Sequence, residues 1–562
     1  MPQDDLYRQL FQSLVATPGL MAAGHSLAAP IDVGNSDIRL RWDNTFKYSA
    51  AMRTKSASDK LTEYEPRRAG ENPATLNGDD GDRNFKSGRL ISNRMDLLSE
   101  MDIVYKDDFG ARVSAAAWYD DVYNNKNDND SPRTANARSV DHDEFTDDTQ
   151  ELHGKKAEIL DAFLFGGADV GSARVSGRLG RHSVLWGESL FYGANAIAGT
   201  QSPVDAVKAS SVPGSTTKEI IMPVGQFSGQ IQFSPQLTIM GYYQYEFEET
   251  RLPGSGSYFS VNDFLSEGGE RIRLAPAGTP FVPGTGVVRR HDMHASDKGQ
   301  FGLGVRTQLG EWELGAYAIR YHAKTPVLYS RSGPVTGIPG TVGTYQWVYP
   351  EDIKAYGISA TTTLNSVNFA GEVSVRRDVP LTNLPTPVTD PNADNNNHAY
   401  YAIGNSAHAN LSMIWTMPRN FMSDEPSLSM EVAYNRLTNC TENCNQLDAG
   451  TDRSAAAVRA LYSIPQRNVM DGLDLTPSFT IGYNHGKSPV TILGPDNGGD
   501  MTFTLAANYL TVWDFSLAYT HYYGAENTAV YQSTDPSIDS HYTFQQSLKD
   551  RDFVSVSLRR TF

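Results

Sequence analysis

The last eleven residues read D-F-V-S-V-S-L-R-R-T-F: Val554, Val556, Leu558 and Phe562 fall on one face of an extended strand, and Ser555, Ser557, Arg559 and Thr561 on the other. Side chains of a strand point alternately to its two faces, so strict alternation means one face in an apolar medium and one in water. The pattern recurs along the whole chain. Ile38-Leu40-Trp42 and Phe46-Tyr48-Ala50-Met52 alternate with Arg39, Arg41, Asp43, Thr45 and Lys47. Met101-Ile103-Tyr105 alternate with Glu100 and Asp102, and Leu237-Ile239-Gly241-Tyr243 continue the series. A polypeptide written this way is all-β, and it has an unusually large amount of outward apolar surface to hide.

The spacing of these segments predicts how the strands close. Short links at 106–110, 168–172, 234–236, 309–311, 365–366, 417–426, 464–472 and 511–512 alternate with long ones at 54–93, 124–156, 186–225, 249–298, 323–353, 377–403, 437–453, 486–498 and 524–551. Tight turns at one end and long loops at the other are the habit of transmembrane barrels. The expected fold is a closed antiparallel transmembrane β-barrel of about 18 strands (range 14–18) over residues 30–562, with insertions at 186–225 and 249–298. No stretch approaches the roughly 18 uninterrupted apolar residues of a spanning helix. Alternating strands need none.

The net charge of −17 argues against nucleic acid as a partner. Cys440 and Cys444, in the polar run T-N-C-T-E-N-C-N, are too few for a structural zinc site and are expected to form a loop disulfide. Residues 1–29 are a weak signal-like segment: 14–29 are apolar and end in small residues, but Asp4 and Asp5 stand where positive charge is usual. Asp390, Asn392 and Asp394 are spaced like calcium-loop ligands, yet Asn395 and Tyr401 replace the glycine and glutamate such a loop needs. No metal site or cofactor is therefore expected. Nor is an enzyme: there is no G-x-S-x-G, no H-E-x-x-H and no Walker loop.

The insertions are where function is expected. The first holds Trp186, Glu188, Leu190, Phe191, Tyr192 and Ile197, too apolar for a solvated loop. The second, G-S-Y-F-S-V-N-D-F-L-S-E-G-G-E-R-I-R-L (256–274), predicts a short helix capped by Ser260, with Phe264 and Leu265 on its apolar face. The W-G-E following a G-R strand, the S-P-V-D and V-P-G-S-x-x-K-E steps, S-Y-F-S-x-x-D-F and E-D-I-K-A-Y-G (351–357) resemble the outer-membrane proteins grouped as domain-of-unknown-function family 1302. The resemblance covers nearly the whole chain. It implies a barrel in the cell outer membrane that moves hydrophobic or aromatic compounds together with periplasmic partners, and it supplies no catalytic residue. The C-terminal strand likewise resembles the last strand of Gram-negative outer-membrane barrels.

The register assigns Arg39, Arg41, Arg94, Glu100, Arg112, Gln230, Gln232, Glu246, Glu372, Arg376 and Arg559 to the lumen, a wall that holds water. Trp186, Glu188, Phe191, Tyr192, Phe259, Phe264 and Leu265 form the candidate constriction, with 256–274 packing against 190–197. The expected function is a channel for hydrophobic or aromatic small molecules, narrowed by inward-folded loops. A general aqueous porin is the first alternative; a barrel-housed hydrolase and a surface adhesion protein are the others. Outer-membrane lipid, the barrel-assembly machinery and a periplasmic carrier or inner-membrane transporter are the partners such a protein would meet.

Overall fold

The computed structural model describes residues 31–64, 72–274, 286–338, 340–383, 387–532 and 540–562. The signal-like segment 1–29 lies outside them. Nineteen hydrogen-bonded segments form one sheet. Two of them, Ser454–Ser463 and Gln466–Met470, are halves of one interrupted strand facing Leu473–Gly486, which leaves eighteen strands. In chain order these are β1 (Ile38–Arg53), β2 (Leu90–Tyr105), β3 (Phe109–Asp120), β4 (Lys155–Val170), β5 (Ala173–His182) and β6 (Val224–Ser234). They continue as β7 (Leu237–Gln244), β8 (Gln300–Leu309), β9 (Trp312–Tyr321), β10 (Ile353–Leu364), β11 (Val367–Pro380) and β12 (Ile403–Thr416). The remainder are β13 (Ser427–Glu442), β14 (Ser454–Ser463 with its continuation), β15 (Leu473–Gly486), β16 (Gly498–Tyr509), β17 (Trp513–Tyr523) and β18 (Phe553–Thr561).

Each strand pairs antiparallel with the next, and β18 pairs back to β1 with Leu558 opposite Tyr48, so the barrel is closed and has no edge. Closure satisfies every ladder within the sheet, which is what a spanning structure needs. No described helix is long and apolar enough to cross a membrane.

The register follows the alternation. Leu303 and Leu411 on the outer face are each 61% exposed, while inward Lys47 is 2% and Glu431 0% exposed. One turn differs from expectation. The link placed at 464–472 is a two-residue turn at Asp471-Gly472, with Gly472 at φ +74°, and 466–470 carry on the strand. Ile464 N–H still reaches Pro477 O at 2.9 Å, and Pro465 interrupts the pairing because proline has no N–H to give the ladder. The sulfurs of Cys440 and Cys444 are bonded at the end of β13.

At the long-loop end, four loop strands (Arg271–Ile272, Gly286–Arg289, Thr341–Val348 and Val327–Ser332) form a separate small sheet. The helix expected after Ser260 is absent: that stretch is irregular. Its backbone groups are spoken for elsewhere, since Arg551 Nη1 donates to the carbonyls of Tyr258 and Ser260 and the Asp263 N–H donates to Asn77 O at 2.9 Å. Such bonds to neighbouring loops displace the intrahelical ones a short helix offers.

Candidate functional site

The β5–β6 loop, residues 183–223, dives into the barrel and crosses from one wall to the other. Its first half lies on β7–β13. Trp186 stacks on Tyr317 of β9, with ring centroids 5.8 Å apart, and meets Tyr242 of β7 edge-on at 5.0 Å. Glycines on the inner wall make room for this segment. A Cβ at Gly302 would sit 2.9 Å from the Trp186 ring, and one at Gly357 would sit 2.6 Å from Ile197 Cδ1. Around these contacts Met240, Tyr317, Ile319, Tyr321, Ile353 and Leu381 form a buried apolar cluster.

Two inward carboxylates hold the crossing segment by its backbone. Glu372 of β11 accepts the Glu188 N–H at 2.7 Å and the Ile197 N–H at 2.6 Å. Glu431 of β13 accepts Ser189 Oγ at 2.9 Å, the Leu190 N–H at 3.1 Å, the Tyr192 N–H at 3.0 Å and also the Phe191 N–H. Successive N–H groups turned onto one carboxylate make a nest for a negative charge. Arg376 of β11 answers from the other side, its guanidinium donating to the carbonyls of Ala194, Asn195 and Ala196 at 3.1, 2.8 and 2.8 Å. Charge-assisted bonds of this kind are worth about 1.5–3 kcal/mol each, so the docked segment is firmly held.

The second half of the loop reaches the opposite wall. Lys47 of β1 donates to Ser215 Oγ and to Glu219 Oε1, each at 3.3 Å. Lys208 lies 4.9 Å from the Trp118 ring of β3, and Lys218 pairs with Glu100 of β2. Beneath Ser183–Trp186, toward the short turns, a recess of about 740 Å³ remains. Phe165, Leu185, Trp186 and Met240 supply its apolar lining; Arg174, Arg178, Arg306, Gln230 and Gln232 supply much of the polar one.

The remaining assigned residues fall as follows. Arg94 binds Asp96 at 2.8 Å and Arg112 binds Asp102 at 2.6 Å, both on the inner wall. Arg39, paired with Asp107, and Arg41, paired with Asp43 at 2.6 Å, lie at the short-turn rim. Glu246 lies just past β7, 2.5 Å from Arg181, and Arg559 binds Asp514 at 2.8 Å. The candidate constriction residues of the two insertions are divided between different clusters. Phe259 packs with Tyr258, Phe85 and Phe553 in a cluster of the loop cap, and Phe264 and Leu265 pack on Trp347 and Tyr349 in another. The aromatic groups of 256–274 find partners among the loops and strand ends at the mouth, and neither of these clusters includes a residue of 190–197.

Sequence reasoning missed Glu431, which sits on an inward position among small residues. The signal was there: an inward carboxylate mid-strand, near inward glycines, marks something docked on the wall. Ser–His pairs also occur, at Ser228–His182 (2.7 Å) and Ser406–His408 (2.8 Å). The other ring nitrogen meets Gly180 O in one and Asn195 Oδ1 in the other, so neither is completed by a carboxylate.

Burial pushes the Glu188 carboxyl from 4.5 up to about 7, against the pull of Arg306 and helped by Glu313 and Glu372. A carboxyl raised in the docked state favours docking fully below about pH 4.5 and loses that contribution as the pH rises through 7. Conductance in planar bilayers is therefore expected to rise between pH 5 and pH 8, and Glu188→Gln to flatten the rise. An equal rise in the variant would remove Glu188 from the account.

A family model matches residues 10–562. The chain belongs to DUF1302, a family of proteins of unknown function. No curated protein matches the sequence significantly. Among solved structures, Acinetobacter baumannii OccAB1 is similar at 10% identity over 93% of this chain and 96% of its own, with a TM-score of 0.42. Pseudomonas aeruginosa OccD3 is similar at 9% identity over 98% and 99%, TM-score 0.39. Salmonella typhi OmpF in complex with daunomycin is similar at 7% identity over 95% and 100%, TM-score 0.35. Identities this low say nothing about what this DUF1302 member carries.

Proposed function

We propose that this chain is an outer-membrane channel, without catalytic activity, for hydrophobic or aromatic small molecules, and that residues 183–223 are its constriction. The observation that carries the reading is the latched crossing segment. An eighteen-strand barrel with a polar inner wall is wide enough to leak solutes unless something fills it, and Trp186 and Ile197 are set into glycine sockets on that wall. What stays open beside Trp186 is a recess in which Phe165, Leu185 and Met240 stand among arginines and glutamines, so a ligand there would meet both apolar and hydrogen-bonding groups. The outward belt of Leu303, Leu411 and their neighbours suits outer-membrane lipid, and insertion would fall to the barrel-assembly machinery. A periplasmic carrier or an inner-membrane transporter would take the solute onward.

Proteoliposome swelling tests the substrate class. Phenol and vanillin should enter several-fold faster than arabinose through the intact protein. Equal or faster entry of arabinose would favour a general aqueous porin, the second reading, which the charged inner wall supports.

A further inference from the structure

The loop cap holds a group of carboxylates that the passage does not use. Asp79 and Asp80 belong to the β1–β2 loop and Asp263 to the β7–β8 loop; they are 0%, 7% and 2% exposed. One carboxylate oxygen of each lies within 4.8 Å of the other two. Asp79 Oδ2 accepts Arg83 Nε at 2.5 Å. Asp80 Oδ2 accepts the Asn136 N–H at 2.8 Å, and its Oδ1 accepts Asn129 Nδ2 at 3.4 Å. Asp263 Oδ2 accepts the Asp80 N–H at 3.2 Å. Among the described residues, two oxygens, Asp79 Oδ1 and Asp263 Oδ1, are buried without a hydrogen-bond partner, as is Oδ1 of the adjoining Asn136.

The next aspartate along the chain shows what full pairing looks like here. Asp82 receives Arg53 at 2.9 Å and Arg551 at 3.0 and 2.9 Å. Among the described residues, Arg83 is the guanidinium bonded to the Asp79–Asp80–Asp263 group, while Arg271 and Arg273 donate to the carbonyls of Ala135, Asn136 and Ala137 instead. Buried carboxylates left short of partners must take up protons or bind a cation.

We propose that Asp79, Asp80 and Asp263 bind a divalent cation of the calcium class, fastening the β1–β2 loop to the β7–β8 loop. All three donors are hard oxygens, a set that suits calcium better than zinc, which favours nitrogen and sulfur. Oxygens on opposite sides of a calcium ion stand about 5 Å apart, and this group fits inside that span. The ion would stiffen the cap through Asn136 of the β3–β4 loop and through Tyr258 and Ser260, which Arg551 ties to the β17–β18 loop. The proposal stands apart from the transport reading.

The test uses full-length protein in detergent, stripped with EDTA at pH 7.5 and titrated with calcium chloride by calorimetry and with terbium by luminescence. Expected are saturable calcium binding, a higher melting temperature in calcium than in EDTA, and terbium affinity at least tenfold weaker in Asp263→Asn and Asp79→Asn. Asp141, Asp143 and Glu144 form an exposed acidic group in the same cap, so Asp143→Asn should bind as the unaltered protein does. Should the buried-site variants fail to assemble, undiminished binding by Asp143→Asn still excludes the exposed group as the source. No saturable calcium binding by the unaltered protein would overturn the proposal in favour of shared protons. Binding lost in Asp143→Asn, or kept in both Asp263→Asn and Asp79→Asn, would overturn it as well.

Discussion

Replacing Glu372 and Glu431 together by alanine should free the crossing segment from β11 and β13 and raise the conductance at least about tenfold, because an unfilled barrel of this size is an aqueous pore. The two carboxylates take six hydrogen bonds from residues 188–197. Once they are gone, five backbone N–H groups lose their acceptors, and a buried unpaired donor costs about 1–3 kcal/mol. Undocked, those groups find water. The barrel itself should persist, since its ladders do not involve either side chain. Glutamine at both positions keeps one acceptor oxygen per residue and should open the pore less. If the alanine variant conducts no more than the unaltered protein, the carboxylates do not hold the segment.

A charge placed on the outer face should show an effect of similar size, on assembly rather than conductance. Leu411 stands five residues from the end of β12, opposite Gly371 and Val432, and points outward. Leu411→Arg near the bilayer midplane should cost about 2–4 kcal/mol and lower the yield of heat-resistant barrel. Gln230→Arg, on the recess, should assemble normally. Equal yields from both would contradict the register.

The barrel was legible because its determinants are repetitive and local. Lipid outside and water inside write the same alternation on strand after strand, and turn and loop lengths write the topology. The site obeys a different rule. On β9 the inward residues Tyr317, Ile319 and Tyr321 are apolar, because their partner is Trp186 and its neighbours rather than water. Alternation alone cannot reveal that, although the inward glycines 302 and 357 are a readable trace of something seated on the wall. The insertion at 186–225 was legible as an inward-folded segment, whereas its anchor Glu431 depended on which strand it happened to meet. Ser260 misled in the opposite sense: its local pattern promises a helix cap, and Arg551, distant in sequence, claims the Ser260 carbonyl that the first helical turn would have used. Local signals lose wherever loops bury each other's backbone.

The most direct test of the account compares single-channel conductance, in planar bilayers, of the intact protein and of a variant in which residues 187–222 are replaced by a short glycine-serine linker. If the crossing segment is what closes an otherwise open barrel, the intact protein should conduct little and the variant strongly and steadily. A large, steady conductance from the intact protein, unchanged by the replacement, would contradict the account.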